Sequence, residues 1–242
     1  MTDSNLKILA VGAHPSDIFV NIGGTVANHV DKGDEVVLVT LTYGIEVHTD
    51  KHVGKSEDEI RDVIYDQSME AAQILGVSEY KFLDFGDTPL VHTRENLLEL
   101  GQVIQNIKPD VIISAHYPLR ETGWRIDHSE AAKMLELAPY GRVHGGLAPH
   151  KVKSIWFSAT DYATGVDRII TSLPDTYVDI TDTIDRKIDA IKATWATSVD
   201  DVDDLDSLFL NLHKSLGNAV GVEYAEAFAK IWHTNKLVKH LN

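Results

Sequence analysis

The sequence predicts an α/β fold: a single Rossmann-like domain over residues 1–242, with a mostly parallel sheet, helices on both faces and a C-terminal helical layer. Short apolar runs alternate with longer segments of helical periodicity, which is typical of right-handed βαβ units. The apolar runs contain few polar residues, as expected for strands covered on both faces. Hydrophobic residues make up 43% and charged residues 24%, which indicates a globular protein.

The predicted elements follow in order along the chain. Short apolar runs predict strands over residues 6–11, 35–41, 80–83, 111–115 and 152–157. The segments between them predict helices over about 18–32, 57–75, 95–107 and 129–137. After Pro174 the pattern changes, and helices over about 183–197, 204–216 and 222–232 form the expected C-terminal layer. Glu223 and Glu226, on the last of these helices, are expected to cap or pair rather than to catalyse.

Composition excludes several classes of function. The formal charge of −15 disfavours nucleic acid as a partner, because such binding depends on clustered Lys and Arg. No apolar run approaches the roughly 20 residues that span a bilayer, and the first residues lack the basic start of a signal peptide. We therefore expect a cytoplasmic protein without membrane contact. The chain has no cysteine, so any metal ion must be held by histidines, carboxylates and water.

The carboxyl ends of the predicted strands carry polar and ionisable residues that are candidates for binding or catalysis. Ligands of open α/β sheets bind at this edge. Three predicted strands end in polar or ionisable residues, within 12–17, 42–46 and 114–117. We expect the functional site there.

A metal site is predicted around the first strand end. His14 and Asp17 are three residues apart across a proline turn, a spacing that lets an imidazole and a carboxylate converge on one ion. His128 is the best candidate for a third ligand, which leaves a fourth position for water or substrate. Asp127 beside it is a candidate catalytic group that orients a ligand histidine. Alternatively, His14 and Asp17 only cap the helix that begins near Ile18.

The glycine pair of Gly23-Gly24-Thr25 lies inside a predicted helix, where glycine lowers helix propensity. Close packing or the approach of a ligand explains such a pair. A dinucleotide-binding fingerprint is set aside, because Gly12, Gly23 and Gly24 do not have its spacing.

These motifs together resemble the LmbE-like, or PIG-L, superfamily of zinc-dependent deacetylases and relatives. The resemblance rests on three stretches, namely residues 13–18 (Ala-His-Pro-Ser-Asp-Ile), 23–25 (Gly-Gly-Thr) and 127–128 (Asp-His), and extends to residues 71–76 and 221–226. It implies that His14, Asp17 and His128 are zinc ligands, and that the protein is a homo-oligomer. Iron or manganese would also suit this donor set.

Two departures from the family pattern bear on the reaction. Ser16 stands where the deacetylases carry the aspartate taken as the base, and a hydroxyl cannot accept a proton at neutral pH as a carboxylate does. Arg125 stands where they tend to carry a histidine. The branch of 4-oxalomesaconate hydratases also lacks that first aspartate and resembles this chain at 84–89 and 178–181, although residues 65–67 differ from its pattern.

An anionic small-molecule substrate is expected, because Arg120 and Arg125 precede His128 and guanidinium groups bind carboxylates in a bidentate fashion. Ser16 and Trp124 are further candidates for substrate contact. Alternatively, both arginines are exposed and paired with Glu121 or Asp127. Glu46 is the candidate base.

His116 is the alternative base, and either residue could be purely structural. The leading hypothesis is a zinc-dependent hydratase, a lyase that adds water to a small unsaturated keto polycarboxylate. The alternatives are a zinc-dependent N-acyl deacetylase, of the type that acts on N-acetylglucosamine, and a non-catalytic sensor of organic acids.

Overall fold

The computed structural model describes residues 5–45, 52–118, 126–140, 150–162, 168–170, 174–195 and 203–230. Within these residues, the strands are β1 (Lys7–Gly12), β2 (Glu35–Thr40), β3 (Glu79–Phe82), β4 (Val111–Ser114), β5 (Ser154–Ser158), β6 (Thr160–Tyr162), β7 (Arg168–Ile170), β8 (Thr176–Asp179) and β9 (Ala225–Lys230). The helices are α1 (Pro15–Lys32), α2 (Glu57–Ile74), α3 (Arg94–Ile107), α4 (Ile126–Leu137), α5 (Ile184–Trp195) and α6 (Asp203–Val220).

Seven strands form one sheet in the order β3-β2-β1-β4-β5-β9-β8, and β6 pairs with β7 in a separate two-stranded sheet. The first five strands of that order are parallel, whereas β9 is antiparallel to both of its neighbours. The predicted α/β class with a mostly parallel sheet is therefore confirmed. The chain runs outward from β1 to β2 and β3, then returns to the other side of β1 with β4, so a ligand-binding crevice is expected beside β1.

The residues of β1 alternate between two apolar cores on the two faces of the sheet. Ile8 and Ala10 face the core that includes α1, α2 and α5. Leu9 and Val11 face the core that includes α3 and α4. This period of two is that of a strand, and both faces are covered by helices as the sequence predicts. Among the described residues, none of the helices is both long and apolar enough to cross a bilayer.

The prediction of a helix over residues 222–232 is wrong, because residues 225–230 form strand β9. Alanine and glutamate favour helices in isolation. Here Ala227 pairs with Tyr177 of β8, and Ala229 pairs with Phe157 of β5. A strand at this place satisfies the backbone groups of both neighbours, and tertiary context overrides propensity. Glu226 therefore lies on a strand, where it does pair.

The close-packing explanation of the two glycines in α1 is confirmed. A Cβ atom added at Gly24 would lie 2.8 Å from the Cβ atom of Ile180, and one added at Gly23 would lie 3.3 Å from Cγ of Lys187. The helix therefore approaches the segment after β8 and helix α5 more closely than any side chain at position 24 permits.

Gly24→Ala is expected to destabilise the protein by about 1–3 kcal/mol, because overpacking against Ile180 outweighs the better helix propensity of alanine. Chemical denaturation measures the change in the free energy of unfolding. Gly101→Ala in α3 is the matched control, since among the described residues a Cβ there would meet only the carbonyl oxygen of Ala138, at 3.4 Å. That variant should be neutral or stabilising. Equal stabilisation by both substitutions would contradict the close-packing explanation.

Candidate metal centre

Three parts of the fold bring six of the predicted site residues to one edge of the sheet. The turn after β1 and the first turn of α1 supply His14, Ser16 and Asp17, the end of β4 leads to His116, and the first turn of α4 supplies Asp127 and His128. The strands β1 and β4 are parallel neighbours, so their carboxyl ends coincide. The predicted location at the strand ends is where the structure places these residues.

The other four predicted site residues lie outside the described residues. They are the candidate base Glu46 and the candidate substrate contacts Arg120, Trp124 and Arg125. Their predicted roles stay predictions.

The turn that carries His14 is held by strands β2 and β3. The carbonyl oxygen of Ala13 accepts the amide of Thr42 at 3.0 Å and the hydroxyls of Thr40 and Thr42, both at 3.1 Å. The hydroxyl of Tyr80 donates to the carbonyl oxygen of Pro15 at 3.0 Å. Both carbonyl groups that flank His14 are thus fixed, and the position of this backbone does not depend on a ligand.

Asp17 both caps helix α1 and faces the histidines. Its Oδ2 accepts the backbone amide of His14 at 2.6 Å and Nε2–H of His116 at 2.8 Å. Its Oδ1 lies 3.7 Å from Nε2 of His128. The capping alternative is therefore correct for one carboxylate oxygen, and the other oxygen remains directed toward His128. Burial disfavours the charged carboxylate, but His116, His128 and His14 around it hold the pKa of Asp17 well below its usual value.

His14, Asp17 and His128 form a cluster that fits a metal ion. One possible ligand atom from each lies within 4.8 Å of the other two, and all three side chains are buried. Two imidazole nitrogens and one carboxylate oxygen are a donor set used by catalytic zinc sites, which keep the fourth position open.

Asp127 holds one ring nitrogen of His14. Its Oδ2 lies 3.2 Å from Nε2 of His14, and it is fully buried. The backbone amides of Thr88 and Leu90 donate to its two oxygens at 2.9 and 2.6 Å. With Nε2 engaged, His14 presents Nδ1 to the cluster, 3.5 Å from Oδ2 of Asp17. A carboxylate behind a ligand histidine fixes the orientation of the ring in this way.

The charge state of His14 follows from these two carboxylates. Burial alone lowers the pKa of His14, but Asp17 and Asp127 together raise it to about 9. Without a metal ion, His14 is therefore protonated at neutral pH. A proton and a metal ion compete for the same imidazole, since only a neutral imidazole binds a metal.

His116 is the alternative base predicted from the sequence. In the structure its ring lies against Asp17 and His128. Its Nε2 donates to Asp17, because an ionised carboxylate can only accept. Its ring stacks on that of His128, with centroids 4.0 Å apart and planes 8° apart. The side chain is 1% exposed. In this arrangement His116 holds the carboxylate of Asp17 rather than taking up a proton through Nε2.

The sequence analysis missed two contributions to this site. Residues 84–89 were noted only for resemblance, yet the amides of Thr88 and Leu90 fix Asp127. Gly44, with φ at 69°, lies against the ring of His14, where an added Cβ would come within 3.2 Å of Cδ2. A glycine three residues beyond a predicted strand end was the only signal for it.

Comparison with known proteins identifies the family. A family profile described as PIG-L, GlcNAc-PI de-N-acetylase, matches residues 9–138, which is more than half of the chain. The chain belongs to the PIG-L family. The matched range contains both segments of the metal cluster, and the resemblance stated from the motifs is confirmed at this level.

Two relatives in this family carry out different reactions. The diacetylchitobiose deacetylase of Thermococcus kodakarensis is 30% identical over 230 residues, which are 91% of this chain and 81% of that protein. The 4-oxalmesaconate hydratase of Pseudomonas putida is 29% identical over 198 residues, 79% of this chain and 74% of that protein. The deacetylase matches a longer part of the chain, so a specific resemblance to the hydratase branch is not supported over the deacetylases.

A solved structure agrees on the fold. The N,N'-diacetylchitobiose deacetylase from Pyrococcus horikoshii superposes with a TM-score of 0.79 over 93% of this chain and 83% of that one, at 24% sequence identity. At this identity the similarity shows the fold alone. The PIG-L fold is therefore common to this chain and that deacetylase.

Gly44→Ala is expected to weaken binding of a divalent metal by about tenfold, because the added methyl group pushes the ring of His14 out of place. Competition with a chelating indicator measures the affinity.

Gly54→Ala is the matched control for this variant. Gly54 also has a positive φ, of 87°, but no described residue lies within 4 Å of an added Cβ. Both variants place a side chain at a positive φ, and of the two only Gly44→Ala brings it against a predicted ligand. Equal metal affinities for the two variants would rule out a role of Gly44 in placing His14.

Proposed function

We propose that this chain is a metal-dependent hydrolase that removes the acetyl group of an N-acetylated amino sugar, with zinc as the resident ion. The observation that carries the proposal is the buried cluster of His14, Asp17 and His128, whose three donors would leave a fourth position of a bound zinc ion for water or substrate. A divalent ion bound there supplies Lewis-acid chemistry, that is, polarisation of a carbonyl group and a lower pKa for water.

The family supports this substrate class. The family profile that matches the chain is described as a de-N-acetylase, and the relative that matches over 91% of the chain is a deacetylase. Function is carried by a site rather than by a fold, so the buried cluster has to support the same chemistry. Its two histidines and one aspartate do so.

Two neighbouring side chains hold two of the three proposed ligands in place. Asp127 engages Nε2 of His14, and His116 engages Oδ2 of Asp17, so each of these two side chains has one atom left for the ion. Ligands fixed in this way need no rearrangement when substrate arrives. The hydroxyl of Ser16, in the first turn of α1, can donate a hydrogen bond to a substrate oxygen but cannot accept a proton from water at neutral pH.

A second candidate function is hydration of an unsaturated keto acid, and Ser16 is the observation that favours it. Amide hydrolysis needs a base near the attacking water, and position 16 lacks the carboxylate that the deacetylases of the family carry there. The hydratase relative is 29% identical. In this candidate, Arg120 and Arg125 bind the substrate carboxylates and Glu46 directs the water.

Two assays on the zinc-loaded protein separate the candidates. Release of acetate from diacetylchitobiose is expected for the deacetylase. Loss of the ultraviolet absorbance of a conjugated keto acid is expected for the hydratase. Turnover of the keto acid together with no release of acetate would overturn the proposed deacetylase.

Ser16→Asp is expected to raise the rate of acetate release by about 10²-fold, because a positioned general base typically contributes 10²–10⁴-fold. Steady-state kinetics measure the change. Ser16→Asn is the matched control, since its side chain has the same shape but cannot take up a proton. If Ser16→Asp is no faster than Ser16→Asn, the scaffold does not use position 16 for deacetylation.

A further inference from the structure

A second buried cluster of charged groups lies behind helix α1, away from the metal cluster. Glu226 of β9 and Lys187 of α5 form an ion pair with Nζ and Oε1 2.5 Å apart, and their side chains are 1% and 0% exposed. Burial lowers the pKa of Lys187, and the charge of Glu226 opposes that shift. Neither residue contacts the ligands, so the proposed reaction does not use this pair directly.

The carboxylate of Glu226 also binds the backbone of α1. Its Oε1 accepts the amide of Gly24, and its Oε2 accepts the amide of Thr25, both at 2.9 Å. These amides belong to the interior of the helix, where backbone groups normally bond within the helix. The missing side chain at position 24 leaves room for this approach.

His213 of α6 is the other titratable group at this cluster. Its Nδ1–H donates to the carbonyl oxygen of Ala225, next to Glu226, at 3.0 Å. Burial and the positive charge of Lys187 hold the pKa of His213 well below its usual value, so it is neutral. The net charge of the cluster therefore comes from Lys187 and Glu226 alone.

A carboxylate fixes a helix in a way that an apolar contact cannot. Apolar packing has no direction. Two hydrogen bonds from consecutive amides fix both the position of α1 along its axis and its rotation about that axis. A buried ion pair often stabilises a protein no more than an apolar pair of the same volume, so stability alone is a weak reason for Glu226.

The helix connects this cluster to the metal cluster. Asp17 lies in the first turn of α1, seven residues before Gly24, which is about 10 Å along a helix. Over two turns an α-helix moves as a rigid body, so a displacement of α1 at Gly24 also displaces Asp17. Ligand distances tolerate changes of only about 0.2 Å, so a small shift of α1 moves Asp17 out of coordination range.

We propose that Glu226 is a positioning residue for the metal centre: its carboxylate holds α1 by the amides of Gly24 and Thr25 and thereby sets where Asp17 stands. This inference rests on the metal site of the proposed function. Lys187 keeps the carboxylate charged and aimed at the helix.

The test compares metal affinity with stability in matched variants. Glu226→Gln keeps the shape of the side chain but can accept only through one oxygen, so one of the two amides loses its acceptor. Competition with a chelating indicator measures zinc affinity, and the visible absorption spectrum of the cobalt-loaded protein reports ligand geometry. Zinc affinity is expected to fall about tenfold, with an altered cobalt spectrum.

The double variant Lys187→Met/Glu226→Gln separates positioning from stability. It removes the unpaired buried ammonium group left by Glu226→Gln, so thermal stability is expected to recover. The lost amide acceptor is not replaced, so zinc affinity is expected to stay low. Recovery of affinity together with stability would overturn the inference, because a merely structural ion pair predicts that result.

Ile188→Ala is the control for general destabilisation. Ile188 lies beside Lys187 on α5 and packs in the same core, but it makes no bond to α1. It should lower thermal stability and leave zinc affinity and the cobalt spectrum unchanged. Wild-type zinc affinity and a wild-type cobalt spectrum in both Glu226 variants would overturn this inference and leave the proposed function standing. A wild-type protein that binds no divalent ion would overturn the proposed function as well.

Discussion

The carboxylate of Asp17 is the group on which the arrangement of the site depends. Its Oδ2 takes the backbone amide of His14 and Nε2–H of His116, so it joins the turn after β1 to the end of β4. Its Oδ1 is left facing His128. One carboxylate thus begins a helix, connects two strands and contributes to the metal cluster. The cap fixes Asp17 by local backbone geometry, whereas His116 and His128 come from about a hundred positions further along the chain.

The rest of the fold keeps this carboxylate and its neighbours in place from several sides. Strands β2 and β3 hold the carbonyl groups around His14, and the segment before α3 holds Asp127 through two amides. On the far side of α1, the pair of Lys187 and Glu226 holds the middle of the helix. All of these contacts are directional hydrogen bonds placed between apolar cores. Such bonds set positions, while the cores supply most of the driving force for folding.

The sequence was sufficient for the fold class, for most strands of the sheet and for the three residues that the structure brings into one buried cluster, His14, Asp17 and His128. The strands follow from local apolar runs and the turn follows from the spacing of His14 and Asp17, whereas His128 was assigned through the resemblance to a family. The strand β9 was not predicted, because its conformation is decided by β5 and β8 rather than by its own alanines. The role of Glu226 was missed for the same reason. Hydrogen bonds between residue 226 and residue 24 depend on a tertiary arrangement that no local pattern encodes.

Metal content per chain shows whether His14, Asp17 and His128 hold one divalent ion. The protein is purified with zinc, dialysed extensively and subjected to elemental analysis beside His128→Ala. We expect close to one zinc ion per wild-type chain and almost none in the variant, with the same far-ultraviolet circular dichroism for both. A wild-type protein that retains no metal, or a His128→Ala variant that retains as much as wild type, would contradict it.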